Sequence, residues 1–178
     1  IGGNLASASP IGDSSPVLIA LECKIIIEGK NYREIFLKNF FKGYRKTILK
    51  NNEIIKEIII PIKKKNFLKC YKITKRIEDD ISSIFMAISG LIKDNSFNEI
   101  KIVCGGMAPT PLMAIKTQKF LLNKKFTQEN IDIAKKIILT DFQPLSDMRA
   151  SSNYRSLVSQ NLLERFYLEK NNNKWSLD

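Results

Sequence analysis

The longest apolar stretches in this sequence, such as Ile58-Ile59-Ile60-Pro61-Ile62, are the size of a strand. None approaches the roughly 20 residues that a bilayer span takes. The chain must therefore bury its apolar side chains by pairing short strands and packing helices over them. A hydrophobic fraction of 44% gives it enough apolar surface to do so. At 178 residues there is room for one ordinary domain or two small ones.

Read in order, the pattern is strand-rich first and helical last. Residues 1–16 read as a Gly/Ser/Pro/Asn loop, and Val17 to Ile27 as a strand. Glu28-Gly29-Lys30 is a hairpin turn with Tyr32 to Leu37 as its return strand. Gly43 to Thr47 reads as a polar loop, and Glu53 to Ile62 as a strand closed by Pro61. Lys63-Lys64-Lys65 then breaks the composition as a solvated linker and sets a domain boundary. Three strands follow: Phe67 to Arg76, Ile81 to Ile92 and Ile100 to Cys104. The middle one fits a helix as well by pattern, but its Gly90 and serines favour a strand. Three helices complete the fold. Leu112, Ile115, Lys119 and Leu122 mark one helical face; Thr127 caps the second helix, which continues from Ile131 to Leu139. Ser151 or Ser152 opens the third, and the polar end, 171–178, frays. The expected fold class is α+β, with units at 1–62 and 63–170.

Composition removes several kinds of chemistry. There is no histidine, so Ser-His and Cys-His nucleophile systems and HExxH zinc sites are excluded. Cys23, Cys70 and Cys104 have no metal-ligand spacing and read as small core residues in a reducing compartment. No metal site and no catalytic acid, base or nucleophile is expected, so a cofactor would carry any chemistry. The net charge of +11 comes from lysines spread along the chain and six arginines, Arg33, Arg45, Arg76, Arg149, Arg155 and Arg165. Base and phosphate readout favours clustered Arg with aromatic interleaving, so solvated lysine is preferred over a nucleic-acid partner. No signal peptide or membrane segment is visible, which places the chain in the cytoplasm.

Three segments stand out. Gly2 to Asp13 pairs two glycines, which let backbone N–H groups approach a ligand oxygen, with Asn4, Ser7 and Ser9 as short polar donors. Tyr71 to Ile81 sets basic residues directly before Glu78, Asp79 and Asp80. This is either a turn with surface ion pairs or a cofactor edge with Lys72 and Asp79 tuning its charge. Asp141 to Ser151 reads alone as an inter-helix loop with an N-cap.

GGNLASASPIGDSSP, FFKGYRKTIL, YKITKRIEDDIS, CGGMAPTP and DFQPLSDMRASSNYR occur in that order from Gly2 to about Glu169. Together they resemble the FAD-binding subunit of xanthine dehydrogenases in the molybdenum hydroxylase family. Carbon monoxide dehydrogenase medium subunits and aromatic-CoA reductases share that fold but match these forms less well. The resemblance implies the end of a vanillyl-alcohol-oxidase-like FAD-binding domain, then a small sheet with helices packed against it. It places Gly2, Gly3 and Asn4 at the FAD pyrophosphate, with Ser7 nearby and Asp13 contacting the flavin. Ile55 would lie against the flavin, Lys72 would touch it, and Asp79 would shape its surroundings near the NAD⁺ face. Iron–sulfur clusters and molybdopterin are expected on other segments or chains, with NAD⁺ as acceptor. Expected partners are an upstream half of the FAD subunit with its iron–sulfur domain, and a molybdopterin-binding large subunit. The family's earlier Gly-rich FAD segment is absent and there is no initiator Met, so the chain is expected to be a fragment or one piece of a split subunit.

Overall fold

The computed structural model describes residues 1–62, 67–77 and 80–171. The lysine linker at 63–65, Asp79 and the tail from 172 onward lie outside the described residues. The first half runs α1 (Gly2–Ala6), α2 (Ser14–Ala20), β1 (Lys24–Glu28), β2 (Tyr32–Phe36), β3 (Phe41–Gly43), β4 (Lys46–Thr47) and β5 (Ile54–Ile59). The second half runs β6 (Phe67–Ile73), β7 (Ile84–Lys93), β8 (Ser96–Gly105), β9 (Leu112–Met113), α3 (Ile115–Leu121), α4 (Gln128–Ile137) and α5 (Ser152–Asn171). Strands β2-β1-β5 form one antiparallel sheet, β3-β4 a small hairpin, and β6-β7-β8-β9 a second antiparallel sheet.

The second sheet carries a core on each face, because successive strand residues point to opposite sides. Ile84, Met86 and Ile88 of β7 pack with Leu121, Ile131, Leu162 and Phe166 from the three later helices. The intervening Phe85 and Ala87, with Val103 of β8, pack with Leu18, Ile19, Ile25, Ile27 and Phe40 from the first half. Helix α2 therefore lies directly on β7 and β8. Its Leu18 and Ile19 contribute about 1.5–3 kcal/mol each by leaving water. The buried Ser89 hydroxyl donates to the Ala20 carbonyl at 2.6 Å and ties the same two layers together.

Several sequence expectations are corrected. Residues 1–16 are not a loop throughout: α1 and the start of α2 occupy them. Val17 to Ile27 is not one strand but the end of α2 followed by β1. Pro16 is the third helical residue of α2, within the first turn, where its missing N–H costs nothing. The helix closes when Glu22 takes a left-handed φ of 58°; the Cys23 N–H reaches the Leu18 carbonyl and the Glu22 N–H the Ile19 carbonyl, both at 2.9 Å. That is a Schellman closure without glycine. Gly43 to Thr47 belongs mostly to the β3-β4 hairpin. The second sheet has four strands rather than three, since β9 pairs with Val103 and Cys104. The face of α3 is reversed: Leu112, Ile115 and Leu122 are exposed, while Ala114, Thr117 and Leu121 are buried. Cys70 is exposed, because β6 is an edge strand that turns Phe67 and Tyr71 inward and Cys70 to the other side. The β-strand at 81–92, the hairpin at 28–30 and the Thr127 cap, which accepts from the Asn130 N–H, stand as read.

Candidate functional site

Five loops and strand ends meet at one end of the second sheet. Asp13, immediately before α2, points its carboxylate across to the second half. Its Oδ2 pairs with Lys72 Nζ at 3.0 Å, and its Oδ1 accepts from the Ser82 hydroxyl at 2.5 Å. Lys72 sits on β6 opposite Phe85 of β7, on the sheet face turned toward the first half. This partner is remote in sequence, in the loop before α2. Arg76 and Asp80, by contrast, form a local pair at 3.3 Å that braces the turn after β6. The turn reading of the segment thus holds for Arg76 and Asp80, and Asp79 lies outside the described residues.

The glycine-rich segment is built as a turn of helix. Gly2, Gly3 and Asn4 are the first residues of α1, so their N–H groups have no carbonyl one turn earlier to bond. A Cβ at Gly2 or at Gly3 would meet no atom within 4 Å. This bare backbone face is open to an approaching group. The Ser7 hydroxyl donates to the Asn4 carbonyl at 2.8 Å, so its hydrogen is used inside the loop while its lone pairs remain. The Asn4 side-chain oxygen accepts from Ser14, which fixes it beside Asp13. Ile55 lies on β5 opposite Ile27 and packs on the first-half core, and β5 runs next to α1.

Gly106 holds the other side. Its φ of +81° is a conformation that side-chain-bearing residues rarely adopt, and a Cβ there would fall 2.6 Å from the Ser83 carbonyl oxygen. Its N–H donates to the Pro10 carbonyl at 2.8 Å. The loop before α5 closes the site. The Lys75 ammonium donates to the Met148 carbonyl at 2.7 Å, and the Ser83 hydroxyl reaches the Arg149 carbonyl at 3.4 Å. A cavity of about 560 Å³ opens between Thr74, Lys75, Ser83, Met148, Arg149 and Tyr154. A second, of about 280 Å³, lies among Pro10, Ile11, Tyr44, Gly106, Leu145 and Arg155.

Sequence reasoning did not single out Ser82, Ser83, Asp147 or Arg155. Arg155 is buried, and its guanidinium takes both oxygens of Asp147 at 2.8 Å. Burial works to raise the Asp147 pKa, but the Arg149 N–H, the Arg155 guanidinium and the Ala150 N–H together hold it below the usual carboxylate value. The available signal was the spacing Asp147-x₇-Arg155 across a helix start. Cys104 and Cys23 are not reactive thiols here: burial pushes Cys104 far up and Cys23 to about 11. Among the described residues no group of acids and cysteines is placed to hold a metal.

Short polar donors, an uncovered glycine backbone, a charge pair and two cavities thus gather at this end of the sheet. Two family models match the chain. "FAD binding domain in molybdopterin dehydrogenase" covers residues 1–63, and "CO dehydrogenase flavoprotein C-terminal domain" covers 69–170. Xanthine dehydrogenase of Emericella nidulans is 39% identical over 129 residues, 70% of this chain and 10% of that one. Xanthine dehydrogenase/oxidase of Gallus gallus is 32% identical over 94% of this chain and 13% of its own length. A nicotinate hydroxylase of Emericella nidulans is likewise 32% identical over 94% of this chain and 13% of its own. The chain thus spans about a tenth of these relatives. Among solved structures, carbon monoxide dehydrogenase from Hydrogenophaga pseudoflava superposes with a TM-score of 0.86 at 26% identity, covering 92% of this chain and 57% of that one. Quinoline 2-oxidoreductase from Pseudomonas putida 86 shares the fold with a TM-score of 0.84 at 21% identity, over 94% and 59%.

The chain belongs to the FAD-binding flavoprotein family of the molybdenum hydroxylases, which are oxidoreductases. The residues present are compatible with FAD: the Gly2-Gly3 backbone is uncovered, and Asp13 and Lys72 pair across the two halves. Among the described residues no helix is long and apolar enough to cross a membrane.

Proposed function

We propose that this chain forms the C-terminal part of the flavin-binding subunit of a cytoplasmic xanthine dehydrogenase, relaying electrons from iron–sulfur clusters through FAD to NAD⁺ during purine oxidation. The observation that carries the reading is the Asp13–Lys72–Ser82 junction, where the FAD-domain segment and the C-terminal segment complete one polar site. FAD supplies the electron-pair chemistry when bound. The backbone of Gly2, Gly3 and Asn4, with Ser7, would hold its diphosphate. Asp13 would accept a hydrogen bond from the ring system, Ile55 would give it an apolar wall, and Lys72 and Asp79 would set the charge at its edge. The cavity lined by Lys75, Arg149 and Tyr154 would be the space for NAD⁺. No side chain need move a proton, in agreement with the absence of histidine. The upstream half of the subunit with its iron–sulfur domain, and a molybdopterin-binding large subunit, would be the partners.

A second reading is the same relay in another molybdenum hydroxylase, since the nicotinate hydroxylase matches as well as the Gallus enzyme does. The test is to purify the protein from its own host with whatever accompanies it, record a visible spectrum, and assay NAD⁺ reduction with hypoxanthine, xanthine and nicotinate. A flavin spectrum and purine-driven reduction are expected. A flavin spectrum with nicotinate-driven reduction selects the second reading, and a colourless protein that takes up no FAD overturns both.

A further inference from the structure

Arg155 is the charged side chain most deeply buried in the described residues, with 4% of its surface exposed, yet it rises from the first turn of the surface helix α5. Every acceptor it reaches lies in a loop that lines the site. One terminal nitrogen donates to the Gly106 carbonyl at 3.0 Å and to the Leu145 carbonyl at 3.1 Å. The other takes both carboxylate oxygens of Asp147. Its Nε is buried without a partner among the described residues. A guanidinium is the one side chain with enough donors in a rigid plane to pin three loop positions together.

The contacts continue beyond the arginine. Gly106, held by Arg155 through its carbonyl, donates its N–H to Pro10, three residues before Asp13. Gly105 packs so closely there that a Cβ would lie 3.3 Å from the Pro10 oxygen and 3.2 Å from Pro16. A hydrogen-bonded path therefore runs from α5 through Arg155, Gly106 and Pro10 to the loop that ends in Asp13. The same arginine fixes Asp147, which anchors the Arg149 and Ala150 N–H groups at the mouth of the larger cavity.

We infer that Arg155 is a positioning residue for the flavin site: it sets the height of the 10–13 loop against the 145–147 loop, and so presents Asp13 to the cofactor without touching the cofactor itself. This rests on the flavin reading above. A helix staple alone would seek acceptors on α5 or in the helical core. Arg155 bonds instead to the 145–147 loop and to the Gly106 turn, both of which line the 280 Å³ cavity.

The test compares wild type, Arg155→Lys, Asp13→Asn and the double variant, each purified from the host, for FAD affinity by quenching of flavin fluorescence. Lysine keeps the charge but spans fewer acceptors, so affinity should fall by about tenfold, the scale of one lost charge-assisted hydrogen bond. Because Arg155 acts through Asp13, the two changes should be strongly non-additive: in the Asp13→Asn background, Arg155→Lys should cost less than about threefold. Full additivity, or unchanged affinity in Arg155→Lys, overturns the inference while leaving the flavin reading intact. Wild type that binds no FAD overturns the flavin reading and this inference with it. Amide hydrogen exchange on wild type decides the matter even if Arg155→Lys does not fold. Loading with FAD should slow exchange at Gly106 and at 145–147 together with 11–13, and protection confined to 11–13 contradicts the inference.

Discussion

At the scale of single residues, Lys72 is the informative side chain. Its ammonium pairs with a carboxylate 59 positions away, and the side chain is 45% exposed. As a stability element such a pair contributes about 0–1 kcal/mol. A unit charge at about 4 Å, in contrast, acts on a bound group with roughly 4 kcal/mol at an effective dielectric of about 20, before the screening that this exposure brings. Lys72→Met should therefore lower the flavin midpoint potential and change the rate of NAD⁺ reduction while the melting temperature barely moves. A normal potential with much earlier melting would make Lys72 a structural residue instead. The lysine was legible in the sequence only through its motif, since spacing alone pointed to the acids just after it. Arg155 was legible only through its spacing from Asp147: an arginine on a helix start looks like any solvated one, and it also bonds Gly106, 49 positions away.

At the scale of elements, the sequence was clear where one rule acted and misleading where two competed. The Asp94-Asn95 turn between β7 and β8 takes positive φ at both positions, 51° and 53°, as a two-residue hairpin turn requires. That dipeptide could have extended the short strand expected at 100–104 back to Ser96. Helix α2 was hidden because Leu18-Ile19-Ala20 is apolar without a break, and an unbroken run has no period to read. Pro16 was the overlooked sign. Helix α5 carries its own testable feature near its end. Glu169, with 8% of its side chain exposed, accepts from Arg165 at 2.6 Å and from the Tyr71 hydroxyl at 3.1 Å, and pairs with Lys69. Burial works to raise the Glu169 pKa, but Arg165, Tyr71 and Lys69 outweigh it and hold the value low. A depressed carboxylate stabilises the fold above its unfolded pKa, and that contribution disappears as pH falls through the folded value. Glu169→Gln should cost about 1–3 kcal/mol near neutral pH by urea denaturation. The gap from wild type should shrink as pH drops below about 4, the ordinary glutamate range. A gap independent of pH would exclude the charge as its cause.

At the scale of the molecule, the two hydrophobic cores are not separate, because they use opposite faces of the same strands, β7 and β8. Phe85→Ala and Met86→Ala remove neighbouring side chains from different cores. Each should cost about 2–5 kcal/mol, and both should shift a single unfolding transition. Two resolved transitions, one for each variant, would contradict the shared sheet. The α+β class and, in the second half, the order of strands before helices could be read from the chain, but not this sharing. Leu18 and Val103 are each plainly apolar, and nothing local says that they meet. The same packing makes the site, since it brings Asp13 from the first half to Lys72 from the second.

A glycine pair that serves a cofactor and not the fold can be recognised in one titration. Gly2 and Gly3 are helical, their added Cβ atoms would touch nothing, and alanine in a helix is favoured over glycine by about 0.5–1 kcal/mol. Equilibrium titration of FAD into wild type and Gly2→Ala/Gly3→Ala, with a urea curve for each, should show a fold that is as stable or slightly more so and an affinity weaker by at least about tenfold, a loss of roughly 1.4 kcal/mol. An alanine pair that binds FAD as tightly as wild type would show that the two glycines do not hold the cofactor.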